Sequence, residues 1–239
     1  HLFFVSFRKR KVSSVSKEIK IALLMAASLF MDVMDGTIVT TALPKMAQTF
    51  NVSAATASLL VSTYMIAVAV FIPLSGWLAQ RYGKKNIWLW AVVLFTLSSF
   101  GSAVAPNFTV LLIMRIVQGI AGAMMTPTAR LMVLEKTPAD QLLKMISYLV
   151  WPSLMAPAVA PVIGGMFVTY FTWHWIFLIN LPIGLLAFLI GVRLLPRDDQ
   201  QQPRPFDVRG FVELALASMA LLTGAEMLAR TGVVVWYGL

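Results

Sequence analysis

Residues Phe30–Pro44 read FMDVMDGTIVTTALP. Two carboxylates, Asp32 and Asp35, stand inside an apolar run long enough to cross a bilayer. A charge at bilayer depth costs at least ~2.5–3.5 kcal/mol on insertion scales, so such a residue faces a cavity or a partner. Three residues apart on a helix, the two acids share one face. The rest of the chain then reads as a scaffold that keeps this face wet and supplies its counter-charge.

The bulk composition supports that setting. The chain is 59% hydrophobic and 12% charged, with a mean hydropathy of +0.82. Soluble domains carry about 25% charged residues, so an all-α, multi-spanning membrane protein is expected. Cysteine is absent, which excludes disulfides and thiolate metal sites. His1 and His174 are too few for most metal or nucleophilic sites, and no cofactor or metal is expected. The chain begins with His rather than Met, so its natural start is expected further upstream. Leu2–Phe7 followed by Arg8–Lys11 reverses the order of a signal peptide. Residues 1–18 are read as a cytoplasmic lead.

Seven apolar segments approach the ~20 residues that a span requires. They are Ile19–Leu43, Ala57–Ala79, Ile87–Ala105, Phe108–Val133, Met145–Phe171, Trp175–Leu195 and Phe211–Val235. Sixteen of the nineteen Lys and Arg fall in the lead or at alternate linkers, after the second, fourth and sixth spans. The opposite loops hold only Lys45, while Arg115 and Arg230 lie within spans. By the positive-inside rule the N-terminus and the basic loops are cytoplasmic. That asymmetry accounts for the net charge of +9 without a nucleic-acid partner. The Pro-rich stretch 196–210, PRDDQQQPRPFDVRG, separates a six-helix block (19–195) from a seventh helix (211–239). Asp198, Asp199 and Asp207 read as solvated linker charges. Pro44 is expected to end the first helix, and Asn51 or Ser53 to cap the second. The Thr172–Trp175 turn suits an interfacial aromatic belt, with His174 an anchor rather than a ligand.

Arg115 is the second intramembrane charge. Counted from Phe108 it lies roughly 10 Å deep, and Asp35, counted back from Leu43, roughly 12 Å. An Asp–Arg pair between the first and fourth spans is therefore within reach, and it lowers the cost of both charges. A purely structural pair tying two helices together is the plain alternative. These positions correspond in two three-helix units, as a 3+3 inverted repeat around a midplane site requires. The fifth span carries Pro152, Pro157, Pro161, Gly164 and Gly165, which predicts a bent helix with a small-residue face. Gly76, Arg81, Gly83, Lys84 and Lys85 form the turn between spans two and three. Its glycines permit a tight reversal, and its cations suit helix C-termini or anionic lipid. Glu226 and Arg230, at i and i+4, are expected to neutralise each other.

Together these segments resemble the major facilitator superfamily, specifically its 14-helix drug:proton antiporters of the QacA/EmrB type. Asp35–Pro44 is similar to that family's first-helix motif, with Thr40 where Asn is usual. Gly76–Lys85 resembles the loop signature, with Gln80 in place of its frequent Asp. Leu111–Gly119, which includes Arg115 and Gln118, resembles the fourth-helix motif. Pro157–Gly165 resembles the antiporter motif, with Ala160 for a usual Gly. Trp173–Gly184 and Phe206–Gly210 are typical of the same group.

The resemblance implies a secondary transporter, not an enzyme, in a bacterial cytoplasmic membrane. Its partners would be the lipid bilayer, protons, a small amphipathic or cationic drug, and a C-terminal half that this chain lacks. Asp35, with Asp32 in reserve, Arg115 and Gln118 are the candidate proton-coupling and substrate residues. Gly76, Arg81, Gly83, Lys84, Pro157, Pro161, Gly164 and Gly165 are the candidate conformational ones. Two alternatives stand beside it: a proton-coupled metabolite transporter, and a truncated, non-transporting fragment. The drift of Val233–Leu239 from the family pattern fits the latter.

Overall fold

In a computed structural model, the backbone is described for residues 2–196 and 205–236, and side chains for 17–135, 137–196, 205–224 and 227. The basic run Arg8–Lys11, the linker acids Asp198 and Asp199, and the Glu226–Arg230 pair lie outside the described side chains. The helices in order are α1 (Leu2–Phe50), α2 (Ala54–Ala57), α3 (Leu59–Tyr82), α4 (Lys84–Ala103), α5 (Phe108–Lys136), α6 (Leu142–Tyr170), α7 (Trp175–Leu178), α8 (Asn180–Leu194) and α9 (Val208–Trp236). Six spans are long and apolar enough to cross a membrane among the described residues. They are α1 from Lys17 onward, α2 with α3, α4, α5 as far as Glu135, α6, and α7 with α8. The seventh expected segment is the helix α9, laid against α3 through the Phe71–Phe211 ring pair.

Pro44 does not end the first helix, contrary to expectation; α1 carries it internally and runs to Phe50. A membrane helix tolerates the lost N–H because neighbours and local adjustments re-satisfy the freed carbonyl. The true stop is Asn51, whose φ of 51° is left-handed. The Asn51 N–H bonds the Gln48 carbonyl and the Val52 N–H the Ala47 carbonyl, a Schellman closure. Ser53 then caps α2, its hydroxyl accepting the Thr56 N–H at 3.1 Å. Between α3 and α4, Gly83 adopts φ 90° and ψ 137°, a conformation that side chains rarely take. Asp207 is not a free linker charge. Its carboxylate accepts the Gly210 N–H and caps the start of α9.

Helix neighbours follow a paired pattern. α1 packs on α6 as α5 packs on α3, and α1 meets α8 as α5 meets α4. Lys84 pairs with Glu135, and Lys85 donates to the Val192 and Leu195 carbonyls at 2.9 and 2.8 Å. These contacts gather the start of α4 and the ends of α5 and α8 at one end of the bundle. At the other, Trp173 seats against Phe50 and donates to Thr49 Oγ1. Trp173 is only 5% exposed and plugs the bundle, whereas Trp175, at 46%, has the exposure of a belt residue. His174 stacks on Trp173 at 3.7 Å, and burial holds its imidazole below the ordinary value of 6.5.

Two apolar clusters fill the interior. One, around Trp88, Phe95, Met125 and Met145, lies toward the basic end. The other, around Ile38, Leu60, Leu111 and Phe177, lies toward the opposite end. Asp32, Asp35, Ser99, Arg115, Gln118 and Asn180 fall between them along their helices. Close packing holds this layer shut: a Cβ on Gly119 would stand 2.6 Å from the Tyr64 carbonyl oxygen and 2.8 Å from the Ala67 Cβ. Neither atom can swing aside, so Gly119→Ala should push α5 off α3. We expect a loss of about 1–3 kcal/mol, read as a lower unfolding midpoint in detergent. An unchanged midpoint would show that the two helices have slack.

Candidate functional site

Asp35 sits at the junction of α1, α4, α5 and α8, fully buried. Arg115 Nη1 donates to its Oδ2 at 2.5 Å. Gln118 Nε2 and Asn180 Nδ2 donate to its Oδ1 at 2.9 and 2.7 Å. Three donors and no competing acceptor suit an ionised carboxylate, which only accepts. Both amides also reach Ser99 Oγ, at 2.7 and 3.2 Å, closing a network across four helices.

Arg115 is fully buried as well. Its Nε donates to the Leu60 carbonyl at 3.2 Å, and its Nη1 also reaches Gln118 Oε1 at 2.8 Å. The guanidinium lies over the Tyr64 ring, 4.2 Å from the centroid, where the π face offsets part of the charge. Its Nη2 and the Asn180 Oδ1 are buried without a hydrogen-bond partner among the described residues. An unmet donor on a buried cation is costly.

Asp32 lies one turn from Asp35 and is separately held. Tyr64 donates its hydroxyl to Asp32 Oδ1 at 2.6 Å, and Thr126 donates to Oδ2 at 2.7 Å. At 9% exposure it is the more open of the two acids. Tyr64 thus touches both, with its hydroxyl on Asp32 and its ring under Arg115. Tyr64→Phe should keep the ring and remove one charge-assisted hydrogen bond, a loss of about 1.5–3 kcal/mol. Tyr64→Ala should cost more, because the ring contact goes too. Equal midpoints for the two variants would show that the ring does not support Arg115.

Of the candidate residues, Asp35, Arg115 and Gln118 are brought together, and Asp32 is adjacent with its own partners. The remaining ones lie elsewhere. Arg81 is exposed and stacks on Trp77 and Tyr82, seventeen residues along α3 from Tyr64, or about 25 Å. Gly76 has no atom within 4 Å of where a Cβ would be, and neither has Gly165. Gly164 does face a neighbour, Thr41 of α1. With Ala156 and Ala160 it forms the buried small-residue stripe of α6, while Pro157 and Pro161 point outward. α6 is one continuous helix through all three prolines.

Tyr64, Ser99, Thr126 and Asn180 were not singled out from the sequence. Asn180 carried the clearest signal, as an amide in a span whose other described side chains before Arg193 are apolar. The hydroxyl residues carried none.

Residues 25–239 match the family model described as Major Facilitator Superfamily. A Pectobacterium atrosepticum protein named "Putative multidrug resistance protein MdtD" is 44% identical over 200 residues, which cover 84% of this chain and 42% of that protein. The protein of the same name from Escherichia coli O17:K52:H18 is 40% identical over 220 residues, covering 88% and 46%. The chain spans less than half the length of these curated relatives. Among solved structures, the inward-open xylose transporter XylE from E. coli superposes with a TM-score of 0.66 at 16% identity, covering 90% of this chain and 56% of that one. A D-xylose-proton symporter gives 0.61 at 17% identity, covering 92% and 56%. At such identities the structural likeness is one of fold alone. Six spans around a buried acid–arginine pair, a family match over most of the chain and this shared architecture together establish that the chain belongs to the Major Facilitator Superfamily.

Proposed function

We propose that this chain forms the N-terminal half of a proton-driven exporter of amphipathic or cationic compounds in a bacterial cytoplasmic membrane. The observation that carries this reading is the Asp35–Arg115 pair, buried between two apolar clusters and completed by Gln118 and Asn180. A proton and Arg115 compete for the same carboxylate. Entry of a proton from outside frees Arg115; loss of that proton toward the cytoplasm restores the pair. Each exchange changes which helices hold Asp35, and that is how a proton gradient can drive a change of access. A static tie would perform no such exchange, and apolar packing could replace it at little cost. The drug-export direction follows the relatives' name and the resemblance of Pro157–Gly165 to an antiporter motif.

The paired neighbour pattern of α1–α8 supports a 3+3 inverted repeat over 19–195, with 196–210 as cytoplasmic linker. The basic end, with Arg81, Lys84 and Lys85, is then cytoplasmic, as is the N-terminus. Contacts there between α4, α5 and α8 act as a latch on that side. The buried stripe around Gly164 lets α6 slide on α1.

The test uses the chain together with the second half that its relatives carry, in right-side-out and inverted vesicles loaded with a proton-sensitive dye. Adding substrate should move protons opposite to it. Protons moving with the substrate would replace export with symport and overturn the reading.

A further inference from the structure

Away from the polar layer, α1 and α8 leave a groove of about 830 Å³ between them. Its wall is apolar, with Leu23, Ala27, Leu186 and Ile190 among its lining residues, and its cations are Lys20 and Arg193. The two helices run antiparallel, so Lys20, near the start of the apolar span of α1, and Arg193, at the C-terminal end of α8, belong to the same, basic, end. Neither cation makes an ion pair among the described residues, and both are exposed.

We propose that this groove is a binding site for an anionic phospholipid, with its acyl chain along the α1–α8 seam and its headgroup phosphate countered by Lys20 and Arg193. Length and charge agree on that occupant. From Arg193 in to Ile183, the deepest α8 residue of the lining, is ten residues, or about 15 Å. That is one leaflet of a hydrocarbon core about 30 Å thick. A wall one leaflet deep, apolar throughout and cationic only at its headgroup end, matches one lipid molecule. It does not match a soluble ligand, which would meet polar groups along the wall. The site is separate from the transport layer, since Lys20 stands fifteen residues from Asp35 on α1, about 22 Å along the helix. The two are connected through α8, whose first residue, Asn180, holds Asp35.

The test is native mass spectrometry of the 239-residue chain released from nanodiscs of phosphatidylcholine with or without phosphatidylglycerol. The wild type should keep phosphatidylglycerol and shed phosphatidylcholine, and its thermal midpoint should rise with the anionic lipid. Lys20→Gln and Arg193→Gln should each cut retention about five-fold, and the double variant about 25-fold. Ala27→Trp, which fills the groove and leaves both cations, should also lose the lipid, while Arg193→Lys should keep it. Equal retention of the two lipids would reveal an ordinary lipid shell and overturn the proposal. Full retention by the double variant would do the same. Displacement of the lipid by inorganic phosphate would reveal a free-anion site, and a dimer that excludes lipid would assign the groove to a second copy; either result overturns it.

Discussion

On the proposed function, Asp35→Asn in the chain joined to its second half is expected to abolish proton-driven efflux, reducing it to the level of vesicles without the protein. The substitution keeps the side chain's volume and leaves an amide oxygen that can still accept from Gln118 or Asn180, the two partners of Oδ1. What it removes is the carboxylate that pairs with Arg115 and that the proposed mechanism protonates. Coupling should therefore end, while the fold keeps most of its contacts. Arg115 retains the Leu60 carbonyl, Gln118 Oε1 and the Tyr64 ring, which soften the loss of its counter-ion. Uncoupled exchange of a neutral amphipathic compound should persist, separating a carrier that has lost its proton from one that has not folded. Asp32→Asn, which removes an acid held by Tyr64 and Thr126, should on the same proposal reduce coupled efflux without abolishing it. Full efflux by Asp35→Asn alongside total loss in Asp32→Asn would hand the coupling role to Asp32.

The second large effect is on stability. Arg115→Leu leaves a fully buried carboxylate facing two amides and no cation, and removing one partner of a buried pair costs about 3–5 kcal/mol. The unfolding midpoint of the purified chain should fall accordingly. Adding Asp35→Asn to Arg115→Leu should recover most of the loss, because replacing both charges at once leaves nothing uncompensated. A double variant as unstable as the sum of its singles would mean that the two side chains do not interact.

Charges in apolar spans are few and expensive, which is why Asp35 and Arg115 could be paired across eighty residues from the sequence alone. Hydroxyls give no such signal. Thr37, Thr41, Ser75 and Thr96 each bond a carbonyl of their own helix, a local solution open to any Ser or Thr in a span. Nothing in residue type distinguishes them from Ser99 or Thr126, which reach across helices instead. Tyr64 was hidden for a similar reason, since its ring reads as ordinary span filling and its hydroxyl shows its partner only in three dimensions. Pro44 was misread through a rule drawn from helices in water, where a lost N–H bond has no neighbouring helix to compensate it. Trp173 was assigned to the interface on composition, but packing against Phe50 and Phe177 turns it inward.

The proposed exchange of Arg115 for a proton at Asp35 is tested most directly by infrared difference spectroscopy of the purified chain, between alkaline and acidic pH. Among the protonated-carboxyl bands of the chain's ten Asp and Glu, one component should appear on acidification in the wild type and in Asp32→Asn and be missing from the difference spectrum of Asp35→Asn. No such band while the protein remains folded, or the same band in Asp35→Asn, would contradict the mechanism.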